Sequence, residues 1–281
     1  MALAIKKVYA KTGEQFVVLI DEYDVLVREQ VNKTLFDEYL QFLNTFFKSA
    51  DLAPAIALAY LTGILPIVRD KVQSKLNLFK EYTMVDAGRM SEFVGFTIEE
   101  TQNFCKEHDM DYDECRRWYD GYDMGYGMEV FSPRSVVSAM SKKQFGSYWM
   151  QTGSYDALRN YILMNFDGIK DDVLHMMGGG KVEVQCARYM NTMTDFYSKD
   201  DVFTYLIHLG YLAYDRETQR CYIPNNEVRA QWVASIKTSP DYKHIMEMVN
   251  NSKLLVEATI EGDEQAVVPA LTKAHGFVIS H

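Results

Sequence analysis

Phe16-Val17-Val18-Leu19-Ile20-Asp21-Glu22-Tyr23-Asp24 is the stretch that decides the fold. The apolar run is short, rich in β-branched residues and cut off by acids. It reads as a buried parallel strand that ends at Asp21. Downstream, Leu35, Phe36, Tyr39, Leu40, Leu43, Phe46 and Phe47 recur at helical spacing, so residues 34–49 read as an amphipathic helix long enough to cross a sheet. A second apolar run, AIALAYL at 55–61, closes at Thr62-Gly63. A helix over 68–79 and a third strand over 82–85 are expected next. Strand, helix, strand, helix, strand implies a parallel sheet with right-handed crossovers.

The acids at the end of the first strand carry a chemical expectation. A strand holds its terminal Asp rigidly at the carboxyl edge of a sheet. There Asp21 can orient Mg²⁺ and its waters beside phosphates, and Glu22 can polarise an attacking water. The plain alternative is a strand end that meets solvent through acidic residues. Thr62 closes the neighbouring run 41 residues after Asp21 and has the chemistry of a γ-phosphate sensor, or simply of a helix N-cap.

Composition supports a packed, soluble chain. Of 281 residues 48% are hydrophobic and 13% aromatic, which argues against disorder. The 39 acids exceed the 29 bases, giving a net charge of −10, so DNA is repelled globally and any contact needs a local basic patch. Cys105, Cys115, Cys186 and Cys221 form no C-x-x-C pair. With no secretory leader and no apolar run of membrane-spanning length, a cytoplasmic location with free thiols and no membrane partner is expected.

After Gly95 the pattern turns mainly helical. Helices are expected over 97–108 and 112–119, the second stopped at Asp120-Gly121. Ser132-Pro133 starts another, and a further one begins near Ser154. Ser198-Lys199-Asp200-Asp201 resembles a capping box, with Asp in place of Glu. Its helix stops at Gly210. A hairpin of 211–215 with 220–223 and a closing helix over 226–236 complete a winged-helix-like pattern. The expected organisation is 1–92 as a partial parallel α/β core, 93–184 helical, 185–240 winged-helix-like, and 241–281 a helical linker.

Several segments in this order carry a resemblance: VVLIDEYDVLV (17–27), LTGI (61–64), GFTIEET (95–101), RRWYDGY (116–122), VFSPRSVV (130–137), YWMQTGS (148–154), LGYLAYD (209–215) and IPNNEVRAQW (223–232). Together they resemble the AAA-ATPase-like family of bacterial proteins, over about residues 15 to 275. The resemblance implies a P-loop NTPase core using ATP and Mg²⁺, a winged-helix-like part and a following PD-(D/E)XK nuclease-like domain. It gives Asp21 and Glu22 the Walker B roles, with Asp21 as metal ligand and nucleotide contact, and Thr62 the sensor role. The Trp118–Tyr122 segment is a family signature; aromatic packing around a turn at Gly121 is preferred to catalysis there.

The chain departs from that pattern in its Gly-rich segments. Gly13 is the only glycine before Asp21. Gly178-Gly179-Gly180-Lys181 has His175 where a P-loop needs Gly and Val182 where it needs Ser or Thr. The expectation is a fragment that lacks Walker A, ends where the nuclease-like domain would begin, and binds nucleotide weakly. The alternative is a non-catalytic scaffold or an interaction module for a protein partner or DNA. DNA affinity is expected to be weak, because the 226–236 helix offers only Arg229 and Lys237, and Val228, Trp232 and Ile236 suit packing. Three metal readings rank below the Mg²⁺ one: a Ca²⁺ loop at Asp109, Asp111 and Asp113; zinc at Cys105, His108 and Cys115; and a two-metal nuclease site at Asp21, Glu22 and Asp24.

Overall fold

The computed structural model describes residues 1–28, 33–66, 78–125, 127–149, 166, 168–186, 196–237, 255–256 and 258–278, which form a mixed α/β structure with small sheets. Helix α1 (Ala2–Thr12), unforeseen in the sequence, precedes β1 (Phe16–Ile20). The short α2 (Val25–Arg28), α3 (Lys33–Lys48) and β2 (Ile56–Leu61) follow. β1 and β2 pair in parallel as expected, in register from Val17 opposite Leu58 to Ile20 opposite Leu61. The apolar stripe of α3 explains the layer beneath them. Leu43, Phe46 and Phe47, with Leu52, pack against Val18, Ile20, Ile56, Ala59 and Leu61. α1 adds Ala2 and Ile5 to this cluster and is tied down by a Lys6–Asp51 ion pair at 2.7 Å.

One expectation for this sheet is corrected. The strands are buried on one face only, because the described helices cover only that side. Val17, Leu19, Leu58 and Tyr60 on the other face are 46–72% exposed. Strand alternation produces this split automatically once one face is bare.

The third strand expected at 82–85 is also corrected. Thr83 and Asp86 exchange backbone hydrogen bonds, and the Thr83 hydroxyl accepts from the N–H groups of Val85 and Asp86. A hydroxyl that closes a turn competes directly with strand pairing. The helix expected over 68–79 falls mostly on 67–77, outside the described residues.

The middle of the chain holds α4 (Ile98–Glu107), α5 (Tyr112–Tyr119) and α6 (Pro133–Lys142). Thr97 and Glu100 close a capping box on α4, Asp111 caps α5, and Pro133 opens α6. A sheet that the sequence reading missed lies among them. β3 (Phe96–Thr97), β5 (Glu129–Phe131) and β4 (Tyr122–Asp123) pair antiparallel in that spatial order. The 93–184 segment is therefore not purely helical; strands of two and three residues leave no readable alternation. The helix expected near Ser154 falls within 150–165, outside the described residues.

The largest apolar cluster is built from α7 (Ile169–Met177), β6 (Val182–Glu183), α8 (Lys199–His208), β7 (Ala213–Asp215), β8 (Arg220–Tyr222) and α9 (Asn226–Lys237). The expected helix–hairpin–helix order is present, with β6 as a third antiparallel strand beside β8. Ser198 and Asp201 do form the capping box of α8. Trp232 of α9 is fully buried and donates its indole N–H to the Tyr211 carbonyl at 3.0 Å. α10 (Glu264–Val278) closes the chain. Among the described residues no helix is long and apolar enough to cross a membrane.

The β7–β8 hairpin carries a pH-sensitive lock. Asp215 accepts from the Thr218 N–H and pairs with Lys181, each at 3.0 Å. Burial pushes the Asp215 carboxyl up, but the Thr218 N–H, the Lys181 ammonium and the Thr218 hydroxyl outweigh it and hold the pKa down to about 2. Such a carboxylate stabilises the fold above its unfolded pKa and loses that contribution as pH falls through the folded value. Asp215→Asn is expected to cost roughly 2 kcal/mol near neutral pH. In urea melts the gap between variant and parent should close between pH 4 and pH 2; a gap unchanged at pH 2 would contradict the account.

Candidate functional site

The carboxyl edge of the β1–β2 sheet brings Asp21 and Thr62 together. The ladder runs one residue past the strands: Thr62 N–H donates to the Ile20 carbonyl and Tyr23 N–H to the Thr62 carbonyl, both at 2.9 Å. The two side chains then stand side by side, and the Thr62 hydroxyl donates to Asp21 Oδ1. The same oxygen accepts the Glu22 N–H at 3.0 Å. Glu22 sits in the left-handed region at φ 51°, uncommon for a residue with a side chain, and is exposed together with Asp21.

Asp24 behaves differently from its acidic neighbours. It is completely buried, and its Oδ2 accepts from Ile64 N–H at 3.2 Å and Leu65 N–H at 2.9 Å. This corrects the two-metal reading of Asp21, Glu22 and Asp24, since Asp24 is turned inward onto backbone. Gly63 fits here because a Cβ would lie 2.6 Å from Asp24 Oδ1 and 2.7 Å from the Tyr23 ring. Tyr39 of α3 donates its hydroxyl to the Tyr23 carbonyl at 2.9 Å, and burial, then the Asp24 charge, pushes its pKa up. Nothing in the local sequence separates an inward Asp24 from an outward Asp21, except that Asp24 lies three residues further from the strand end.

The donor set at this edge suits Mg²⁺ better than a protein-caged metal. Among the described residues no three His, Cys, Asp or Glu side chains converge to hold an ion. Mg²⁺ keeps several waters and is commonly bound through one or two carboxylates plus substrate phosphates. Exposed Asp21, with the Thr62 hydroxyl beside it, fits that mode.

The glycine-rich segments serve other ends. Gly13 at φ 72° ends α1 and donates to the Tyr9 carbonyl. Gly178 ends α7, and a Cβ on Gly180 would overlap the His175 ring. Lys181 is held by Asp215 and lies over the Tyr222 ring, 4.5 Å from its centre. The rejected phosphate cradle is thus a helix stop followed by a hairpin clamp.

The other two metal readings fail on geometry. Asp111 is spent on capping α5, through Oδ1 and the Glu114 N–H at 2.6 Å. Cys105 and Cys115 are buried together in an apolar cluster, and burial pushes both thiols up. His108 caps the end of α4, and its carbonyl accepts from Lys143.

The Trp118–Tyr122 segment joins the middle of the chain to the α7–α9 unit. Tyr119 is buried and exchanges hydrogen bonds with Gly146, donating to its carbonyl and accepting its N–H, each at 3.0 Å. Asp120 pairs with Arg116 at 2.8 Å, and its carbonyl accepts from Asn225 at 2.7 Å. Tyr222 donates to the Gly121 carbonyl at 3.0 Å, and Tyr122 to the Gly210 carbonyl at 2.8 Å. Aromatic packing around a turn describes this segment, and the bonds with Asn225, Tyr222 and Gly210 reach 88 to 105 residues along the chain.

α9 is engaged on several sides. Val228, Trp232 and Ile236 face the core, while buried Glu227 accepts from the Tyr148 and Trp149 N–H groups at 2.5 and 2.7 Å. Gln231 donates to Ser147 at 2.8 Å, and Arg229 donates to the Met177 carbonyl.

Comparison with known proteins follows this geometry. Residues 1–73 match the AAA-ATPase-like family, described as Predicted AAA-ATPase. The chain is also similar to an "Uncharacterized protein in vnfD 5'region" of Azotobacter chroococcum mcd 1, at 31% identity over 157 residues. That match covers 53% of this chain but only 29% of the relative's length. No solved structure matches. The family match and the strand-end geometry fall on the same residues: the 1–73 portion, which holds Asp21, Glu22 and Thr62, is similar to the AAA-ATPase-like family.

Proposed function

We infer that the Asp21–Thr62 edge is the metal- and water-orienting half of an ATP-hydrolysing site, without the phosphate-gripping half that a P-loop supplies. The carrying observation is the hydrogen bond from the Thr62 hydroxyl to Asp21 across two parallel strand ends. Ligands of open α/β sheets bind at this carboxyl edge. In this reading Asp21 would hold Mg²⁺ with its waters, and the ion would supply charge neutralisation at the phosphates. Glu22, exposed beside Asp21, would take a proton from the attacking water. Thr62 is the γ-phosphate sensor in this reading, held beside Asp21 by the bond from its hydroxyl.

The grip is the missing term. A backbone N–H cradle and its Lys supply much of the affinity for phosphate. No segment here has the G-x-x-x-x-G-K-[ST] pattern. Mg²⁺-ATP is therefore expected to bind this chain more weakly than about 100 μM, roughly −5.5 kcal/mol. Mn²⁺ alone should still broaden the Asp21 and Thr62 amide signals in NMR spectra, and Asp21→Asn should abolish this. Low-micromolar Mg²⁺-ATP binding by calorimetry would overturn the incomplete-site reading. Mn²⁺ that leaves both signals sharp would remove the metal role itself.

A second reading, a non-catalytic scaffold, is favoured by the bare apolar face of Val17, Leu19, Leu58 and Tyr60. Parallel sheets are normally covered on both faces, so this face suits protein contact. In either reading the α8–β7–β8–α9 part is a winged-helix-like packing module, not a reader of DNA, because α9 is spent on internal contacts.

A further inference from the structure

We propose that the 62–65 loop is a mechanical link that passes the state of the Asp21–Thr62 edge to α8, with Asp24 as its positioning residue and Leu65 as its anchor. The purpose of the link rests on the reading of that edge as a nucleotide site; its existence rests on packing alone. At one end the loop is stitched to the turn after β1. Asp24 holds the Ile64 and Leu65 N–H groups, the Thr62 carbonyl accepts the Tyr23 N–H, and the Tyr23 hydroxyl reaches the Leu65 carbonyl at 3.4 Å. Charge-assisted bonds to backbone are about twice as strong as neutral ones, so the turn and the loop shift together. Gly63 leaves no slack between them, since even a methyl group there would strike Asp24 and Tyr23.

At the other end Leu65 leaves the β1–β2 layer entirely. It is 2% exposed and packs with Tyr205, Phe196 and Leu209. Phe196 and Tyr205 meet edge to face at 5.4 Å, forming a firm socket. Tyr205 belongs to α8, whose Val202, Phe203, Leu206 and Ile207 lie in the large core. A close-packed interior transmits displacement and does not absorb it. The other ties between residues 82–86 and this unit, Met84 and Val85 packing and an exposed Asp86–Arg216 pair at 2.8 Å, do not touch the strand end. In the proposed link, movement of Thr62 reaches α8 through Leu65.

Hydrogen exchange on the whole chain tests this without nucleotide. Asp24→Asn is expected to speed exchange of the α8 amides at least about twofold, the lower limit for residues sharing one network. Leu65→Ala should do the same, and in the double variant α8 should exchange no faster than in Leu65→Ala alone. Phe46→Leu, which loosens the α3 layer away from the loop, should leave α8 unchanged. If Asp24→Asn fails to fold, Thr62→Val, which replaces the hydroxyl bonding Asp21 with a methyl of similar size, is read the same way at α8. Two results would sink the link: faster exchange in 62–66 with α8 untouched, or additive effects in the double variant. Failure of Mn²⁺ to bind would remove the nucleotide reading and leave the link standing, whereas additivity with Mn²⁺ bound would remove only the link.

Discussion

Gly121→Ala is expected to cost about 4 kcal/mol and to lower the melting temperature by roughly 10 °C. Two independent effects add there. Gly121 has φ 101°, a conformation that L side chains avoid. A Cβ would also overlap the Pro224 carbonyl oxygen and lie 2.8 Å from its carbon. Neither partner can swing aside, because both are backbone. Tyr222 binds the Gly121 carbonyl, while Asn225, next to Pro224, binds the Asp120 carbonyl. Separating the two strands of chain would break both bonds. Gly125→Ala is the control. Its φ is also positive, at 83°, but a Cβ there meets nothing within 4 Å. It should lose only the conformational part, about 1 kcal/mol. Equal losses at the two positions would show that the approach to Pro224 contributes nothing.

The second large effect is a loss of stability in mild acid through His208. This residue sits at the end of α8, and burial holds its imidazole down to about 4. Above pH 6.5 it is neutral in the folded and the unfolded chain and has no effect on pH dependence. Below that, the unfolded chain takes up a proton that the folded one refuses, so stability falls until the folded imidazole protonates near pH 4. The interval corresponds to roughly 3 kcal/mol. Carboxylates also respond to acid, so the measurement is a difference. Urea midpoints of the parent and of His208→Gln should converge as pH drops from 7 to 4, the parent losing about 3 kcal/mol more than the variant. Parallel profiles would mean that the folded imidazole takes up its proton as readily as the unfolded one, so that burial does not hold it down.

The chain's local decisions are written in its residues. Val and Ile at 17, 18 and 20 followed by acids give a strand and its end. The apolar stripe of α3, the Thr97–Glu100 and Ser198–Asp201 boxes and Pro133 give helices with their starting points. These signals are legible because they act over a few residues, through backbone sterics, caps and periodic burial. The same locality explains what was misread. Thr83 is a β-former by type, but its hydroxyl closes a turn in which Thr83 and Asp86 bond each other. The β3–β5–β4 strands are too short to show alternation. α1 has no buried residue of its own to set a clear stripe.

The candidate site divides along the same line. The residue types Asp21, Glu22 and Thr62 at two strand ends could be picked out in the sequence, because strand length alone fixes which residue reaches the edge. That Thr62 bonds Asp21 depended on β1 and β2 lying side by side, a pairing across 41 residues. That Asp24 faces inward depended on the Ile64 and Leu65 N–H groups needing an acceptor away from water. The sequence by itself determined where elements start, stop and show their apolar faces. Tertiary structure alone decided which acid meets solvent, why Gly121 must be glycine and where Leu65 anchors. The physical reason is common to all three: each is set by atoms brought close from distant parts of the chain, and no local preference encodes that distance.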